Sequence, residues 1–117
     1  MIPLGSLWLR LLVLVGLGAT ALLGSRTLLA GAQPAPRRHV VEIKGMAFDP
    51  AVLEVTPGDS VVWINRDIVP HTATAKSQWD TGPIAQGGRG VFVSRRRGEI
   101  TYVCAFHPTM QGRLITR

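Results

Sequence analysis

The sequence predicts an all-β fold, a Greek-key β-sandwich, preceded by a hydrophobic N-terminal segment. Apolar and polar residues alternate over residues 41–44 and 53–56, which is the pattern of half-buried antiparallel strands. Turn-forming pairs separate such stretches, among them Pro57-Gly58 and Gly87-Gly88. These pairs favour the left-handed or tight backbone of turns. After the N-terminal segment no stretch has the period of an amphipathic helix, and short strands between regular turns are typical of a sandwich.

The remaining strands follow from the same patterns. Residues 61–64 are apolar on both faces and predict a central strand. Further strands are expected at residues 90–94, 99–104 and 112–116. In the second of these, Ile100, Tyr102 and Cys104 share one face because side chains alternate along a strand.

The N-terminal third differs from this domain. Residues 7–23 are apolar apart from Arg10, and Ala30-Gly-Ala32 has the small residues of a signal-peptidase site. We therefore expect a signal peptide over residues 1–32, a flexible tether over residues 33–38 and one domain over residues 39–117. An uncleaved membrane anchor is the alternative, because the apolar run approaches the length of a short spanning helix. Either way the domain is expected in the periplasm or otherwise outside the cytoplasm.

Charge and cysteine content narrow the chemistry. The 117-residue chain has a net charge of +6, and loss of Arg10 and Arg26 with the signal leaves +4. Cys104 is the only cysteine, so no disulfide within one chain is possible. A lone thiol in an exported protein is a hazard unless it is buried or holds a ligand.

Four side chains, three near the C-terminus and one upstream, suggest that Cys104 is a metal ligand. Cys104, His107 and Met110 are spaced at i, i+3 and i+6, and His71 lies 33 residues before Cys104. Two imidazoles, one thiolate and a weak axial thioether form the donor set of a type 1 (blue) copper site. We therefore expect one copper ion per chain, cycling between Cu(I) and Cu(II), and a role in electron transfer. His39 has no neighbouring donors in the sequence and is expected to be a strand-entry residue.

Residues 40–117 also resemble the cupredoxins, within them the amicyanin and plastocyanin-like branch. The resemblance rests on the following segments: Met46-Ala-Phe48-Asp-Pro50, Val55-Thr-Pro-Gly58-Asp59, Val61-Val-Trp63-Ile-Asn65, Pro70-His71 and Tyr102-Val-Cys104 running into His107-Pro108-Thr-Met110. It implies a copper carrier in the periplasm or on the outer membrane face. We also expect a monomer that is not an enzyme. The resemblance also implies that electrons leave through His107, in a setting of apolar residues such as Pro108 and Met46.

Two positions depart from the pattern of this family. Thr72 follows the first histidine where Asn or Ser is usual, and a hydroxyl can make the expected hydrogen bond between loops with its single oxygen. Ser94 stands where an aromatic core residue is usual, so the packing at that position is not predicted.

The same residues allow several alternative functions and partners. A protein that buffers or delivers copper is the main alternative to an electron carrier. A hydrolase with Cys104 as nucleophile and His107 as base lacks an orienting third group, and zinc would be a loading artefact because Met is a poor zinc ligand. Arg95, Arg96 and Arg97 are expected to be a solvated hairpin end, or else a basic patch that steers an acidic redox partner. Nucleic acid is not an expected partner, since the aromatic residues fall at core positions.

Overall fold

The computed structural model describes residues 31–117, and these form a sandwich of two β-sheets. The strands are the following: β1 (Arg38–Ile43), β2 (Phe48–Asp49), β3 (Val52–Val55), β4 (Ser60–Asn65), β5 (Thr74–Ala75), β6 (Trp79–Asp80), β7 (Arg89–Val93), β8 (Gly98–Val103) and β9 (Gln111–Thr116). One sheet has the order β2-β1-β4-β7 and the other β3-β9-β8-β5-β6. The predicted all-β sandwich is confirmed. The expected signal peptide or anchor falls almost entirely on residues 1–30, outside the described residues.

Both sheets are mixed. β1 pairs with β4 in parallel, and β3 pairs with β9 in parallel, whereas the other pairs are antiparallel. The expectation of purely antiparallel strands was therefore wrong for these two pairs. Alternation reports which face of a strand is buried, and it carries no information on the direction of the neighbouring strand.

The six longer strands lie where the sequence predicts them, five of them within one residue, whereas β1 begins three residues before its alternating stretch. Three two-residue strands, β2, β5 and β6, were missed, since so short a segment shows no period. Among residues 31–117, no helix is long and apolar enough to cross a membrane.

Aromatic side chains dominate the core between the sheets. Trp63 on β4 and Tyr102 on β8 are buried and meet edge to face, with ring centroids 5.3 Å apart. Trp79 stacks on Phe92 at 4.2 Å between ring centroids. Gly112 lies under the Tyr102 ring, where a Cβ would overlap the ring atoms.

The direction of β8 defines two ends of the sandwich. The strand runs from Gly98 to Val103 and leads directly into Cys104. The loops around Cys104 form what we call the Cys104 end. The hairpin before Gly98 lies at the opposite end.

Candidate metal centre

Three of the four predicted donors converge at the Cys104 end. The Sγ atom of Cys104 lies 3.6 Å from Nδ1 of His71 and 3.7 Å from Nδ1 of His107. All three donor atoms lie within 4.8 Å of one another. Cys104 and His71 are fully buried, while His107 is partly exposed. Residues separated by more than thirty positions are thus brought to one point.

The loop after Cys104 closes on itself through its backbone. The Cys104 N–H donates to Met110 O, the His107 N–H to Cys104 O, and the Met110 N–H to His107 O. Met110 is buried at 4% exposure in the same loop. Pro108 directly follows His107 and restricts the backbone there, which lowers the entropy that the loop loses on ordering. The loop is therefore built as a rigid unit that carries three of the four predicted ligands.

Thr72 connects this loop to the segment that carries His71. Its N–H donates to Sγ of Cys104 at 3.3 Å, and its Oγ1 accepts from the Ala105 N–H at 2.8 Å. The expectation that a threonine hydroxyl makes the bond between the loops is confirmed. The sulfur is thereby fixed by a backbone donor as well as by the strand.

His71 is held from its other side by a carboxylate. Its Nε2–H donates to Oδ2 of Asp67 at 2.9 Å, which leaves Nδ1 directed at Cys104. Asp67 also accepts from the N–H groups of Gly45 and Met46 at 2.8 and 2.9 Å. Both of these residues have φ of 60°, and successive N–H groups in such a turn bind an anion well.

A buried amide fixes the loop that carries Asp67. Asn65 is fully buried, and its Nδ2 donates to Val69 O and Ile84 O while its Oδ1 accepts from the Asp67 N–H. Sequence reasoning missed both Asn65 and Asp67. The usable signal was a carboxylate four residues before a ligand histidine, because metal-bound imidazoles commonly donate to a carboxylate.

The thiol of Cys104 is easier to ionise than a free cysteine. Burial acts to raise its pKa, but hydrogen bonds from Thr72 N–H, His71, His107 and Phe106 N–H outweigh burial and lower the pKa to about 6. Thiolate is the form that binds metal. The protein therefore stabilises the ligand form of this side chain in advance.

The donor spacing fits a first-row metal ion. Such ions bond imidazole nitrogen at about 2.0 Å and thiolate sulfur at about 2.3 Å, so a nitrogen and a sulfur at roughly 120° in a trigonal plane are about 3.7 Å apart. The observed separations of 3.6 and 3.7 Å meet this condition.

Several exposed apolar side chains lie in the loops of the Cys104 end, close in sequence to the residues of the donor cluster or to those that support it. They are Met46, Ile68, Val69 and Phe106, with exposures of 43, 84, 43 and 50%. Exposed hydrophobic residues that gather in one region commonly mark a surface for a partner protein.

The structure also shows the contacts of two residues outside the donor cluster, His39 and Ser94. His39 lies on β1, where its Nε2 is 2.8 Å from Oδ2 of Asp59, and it has no part in the donor cluster. Ser94 is buried and its hydroxyl lies 2.6 Å from Oγ1 of Thr116. A pair of hydroxyls thus occupies the position where an aromatic residue is usual in the family that the sequence resembles.

The chain is similar to known copper proteins. It is 28% identical to amicyanin from Paracoccus denitrificans, in an alignment that covers 88% of each chain. It is also 28% identical to amicyanin-alpha from Methylorubrum extorquens, with 87% of this chain and 91% of the relative covered. No family model matches the chain.

Solved structures give the same result for the fold. An oxidised proline-to-alanine mutant of amicyanin superposes with a TM-score of 0.66 at 26% identity, covering 68% of this chain and 82% of the other. A copper-containing nitrite reductase from Thermus scotoductus matches with a TM-score of 0.64 at 26% identity, but only 23% of that enzyme is covered. The latter match therefore concerns a single domain of the larger protein.

The two-sheet sandwich is cupredoxin-like, and the cluster of His71, Cys104 and His107 has the donor atoms of a type 1 (blue) copper site. A hydrolase would present its thiol to substrate, whereas Cys104 is fully buried. The amicyanins are homologues of this chain.

Proposed function

We propose that this protein carries single electrons between redox partners outside the cytoplasm. His71, Cys104, His107 and Met110 would hold one copper ion, which would supply the one-electron chemistry. The observation that carries the proposal is the convergence of three donors at 3.6–3.7 Å in a cage that the backbone has already closed.

The surrounding residues would keep this cage unchanged through a redox cycle. Bound copper supplies the one-electron change, and Cys and Met suit Cu(I) while two imidazoles suit Cu(II). Thr72 holds the sulfur, Asp67 holds His71, and the loop hydrogen bonds hold His107. Because no ligand needs to move, little reorganisation opposes electron transfer.

The electron would enter and leave through His107. His71 and Cys104 are fully buried and Met110 is 4% exposed, so His107 is the one proposed ligand with an edge at the surface. The exposed apolar residues of the Cys104 end would form the docking surface for each redox partner. Burial of such a surface excludes water and shortens the path between the two redox centres.

Arg95, Arg96 and Arg97 are poorly placed to steer a partner onto that surface. They precede Gly98 at the end of the sandwich opposite Cys104. An acidic partner held there would lie a full strand length from His107. We therefore assign partner docking to the apolar surface and not to the arginines.

The remaining assignments concern the whole chain. Residues 1–32 would direct export, residues 33–38 would form a tether, and residues 39–117 would act as a monomeric copper domain. If the N-terminal segment is not removed, the domain would stay attached to the membrane. Nucleic acid has no place in this function.

Substitution of the thiolate tests the site directly. Cys104→Ser is expected to abolish the intense visible band of the copper-loaded protein, because that band is a thiolate-to-copper charge transfer. His39→Ala is the matched control and should keep the band, since His39 lies on β1 and pairs with Asp59. A Cys104→Ser protein that stays equally blue would overturn the assignment of the ligands.

A further inference from the structure

Five arginines gather at the end of the sandwich opposite Cys104. Arg37 and Arg38 lie at the start of β1, and Arg95, Arg96 and Arg97 follow β7. All five are exposed, and none forms an ion pair with any residue that the structure describes. We call this surface the arginine end.

Backbone hydrogen bonds fix these two segments beside each other. The Ser60 N–H donates to Arg37 O at 2.9 Å, the Gly58 N–H to Ser94 O at 2.7 Å, and the Ser94 N–H to Asp59 O at 2.9 Å. The turn between β3 and β4 therefore lies between the start of β1 and the end of β7. The arginines form one surface and not two unrelated groups.

This surface accounts for all of the net positive charge. Residues 33–117 contain eleven Lys and Arg against seven Asp and Glu, a net charge of +4. Without the five arginines, the six other basic residues leave this part of the chain at −1. The nearby acids are already engaged: Glu54 with Arg117, Glu99 with Arg113, and Asp59 with the Arg37 N–H and His39.

The polypeptide also enters the fold at this end. Pro36 lies against Gly58 in the turn between β3 and β4, and Arg37 follows directly. Residues 24–36 connect this point to the apolar residues 7–23 of the sequence. The segment most suited to a lipid environment is thus joined to the sandwich beside its cationic surface.

We infer that the arginine end is a docking surface for membranes that contain anionic phospholipids. Clustered arginines bind lipid phosphate and carboxylate groups, and each adds about fivefold to binding near an anionic surface. Six residue steps of about 3.3 Å separate Gly98 from Cys104, so the arginine end lies roughly 20 Å from Cys104. A membrane on this surface leaves the Cys104 end facing away from the lipid and open to redox partners.

Vesicle binding by matched variants tests this inference. Residues 33–117 form one compact unit that holds both sheets and the described core, so this unit is used without the apolar segment. Its binding to phosphatidylcholine vesicles is compared with binding to vesicles that also contain phosphatidylserine, by cosedimentation at low and high salt. We expect binding to the anionic vesicles only, and weaker binding as salt screens the charges.

Two triple variants with equal net charge locate the surface. Arg95→Gln, Arg96→Gln and Arg97→Gln together should weaken vesicle binding roughly a hundredfold at about fivefold per arginine. The control carries Lys44→Gln, Arg66→Gln and Arg89→Gln, which removes three charges at or near the other end of β1, β4 and β7. If the location of the charges and not the net charge decides binding, the fold loss of affinity in the control should be less than about a fifth of the fold loss in the arginine variant.

Three results would overturn the inference. They are equal binding to both kinds of vesicle, equal loss in both triple variants, and binding to polyglutamate but not to vesicles, which would assign the surface to an acidic protein. The measurement is made on metal-free and copper-loaded protein, with folding checked by circular dichroism. Because the inference does not depend on copper, failure of the copper site and failure of membrane docking give separate results.

Discussion

Replacement of Asp67 by Asn should raise the reduction potential of the copper site. The Met46 N–H lowers the pKa of Asp67 most, and although burial acts to raise the pKa, the Gly45 N–H and His71 lower it further. Asp67 is therefore ionised at neutral pH. The carboxylate accepts from Nε2–H of His71 and so lies on the far side of this ligand from the metal. Its negative charge favours Cu(II) over Cu(I), and the substitution removes it while keeping the shape of the side chain.

The geometry gives the size of the effect. A metal–nitrogen bond of about 2.0 Å, the width of the imidazole and the 2.9 Å hydrogen bond place the charge roughly 7 Å from the metal. At an effective dielectric constant of about 20, one unit of charge at that distance is worth about 2.4 kcal/mol. At about 2.3 kcal/mol per 100 mV, this corresponds to roughly 100 mV. Solvent reaches the carboxylate, whose exposure is 17%, so we expect a rise of about 50–100 mV.

Spectroelectrochemical titration measures this shift, with Glu99→Gln as the matched control. Glu99 lies five positions before Cys104, roughly 17 Å away along β8, beyond the screening length of about 8 Å at physiological salt. Removal of its charge should change the potential by less than about 10 mV. Loss of the carboxylate should also weaken copper binding about 10–100-fold. A potential in Asp67→Asn that is unchanged or lower than in Glu99→Gln would refute the role given to Asp67.

Three further predictions concern the axial ligand, the thiol and the opposite end of the fold. Met110→Leu should keep the visible band and raise the reduction potential, because a donor that favours Cu(II) is lost. In metal-free protein, the pH profile of the ultraviolet thiolate absorbance of Cys104 should have its midpoint near the pKa of about 6. Hydrogen bonds from Arg37 N–H, Thr56 N–H and His39 lower the pKa of Asp59 to about 2, so its contribution to stability is present above its unfolded pKa of about 4. That contribution is lost as pH falls towards 2, so Asp59→Asn should destabilise metal-free protein at pH 7 and much less near pH 2.

Each of these predictions has an outcome that contradicts it. A lower or unchanged potential in Met110→Leu would argue that this side chain is not axial. A thiolate-absorbance midpoint near the ordinary thiol pKa of about 8.5 would show that the hydrogen bonds to Sγ do not form in solution. Equal destabilisation by Asp59→Asn at both pH values, measured by denaturant unfolding, would mean that the carboxylate charge is not what stabilises the turn.

The donors were predictable because their chemistry is local in the sequence. Cys104, His107 and Met110 lie within seven residues, and few other functions need a thiolate, an imidazole and a thioether at that spacing. The strand positions were predictable for the same reason, because burial of one strand face produces an alternation of apolar and polar residues that are neighbours in the sequence.

The supporting contacts were not predictable in the same way. The Asp67 carboxylate is held by the N–H groups of Gly45 and Met46, which lie more than twenty residues away in the sequence. Only the pairing of β1 with β4 brings these residues together. The parallel direction of that pairing leaves no trace in the alternation. Likewise, the hydroxyl pair of Ser94 and Thr116 joins the ends of two strands that are distant in sequence.

The two ends of the sandwich divide the work that we propose. The Cys104 end holds the donors and the exposed apolar residues, whereas the opposite end carries the excess positive charge. Electron exchange and attachment to a surface would then not compete for the same residues.

The most direct test of the proposed electron carrier is a visible spectrum of residues 33–117 titrated with Cu(II), then reduced with ascorbate and re-oxidised over repeated cycles. We expect an intense band that saturates at one copper per chain, bleaches on reduction and returns each time without loss of metal. A colourless complex would contradict the copper site that we propose. A protein that releases its copper on reduction would be a copper-delivery protein and not an electron carrier.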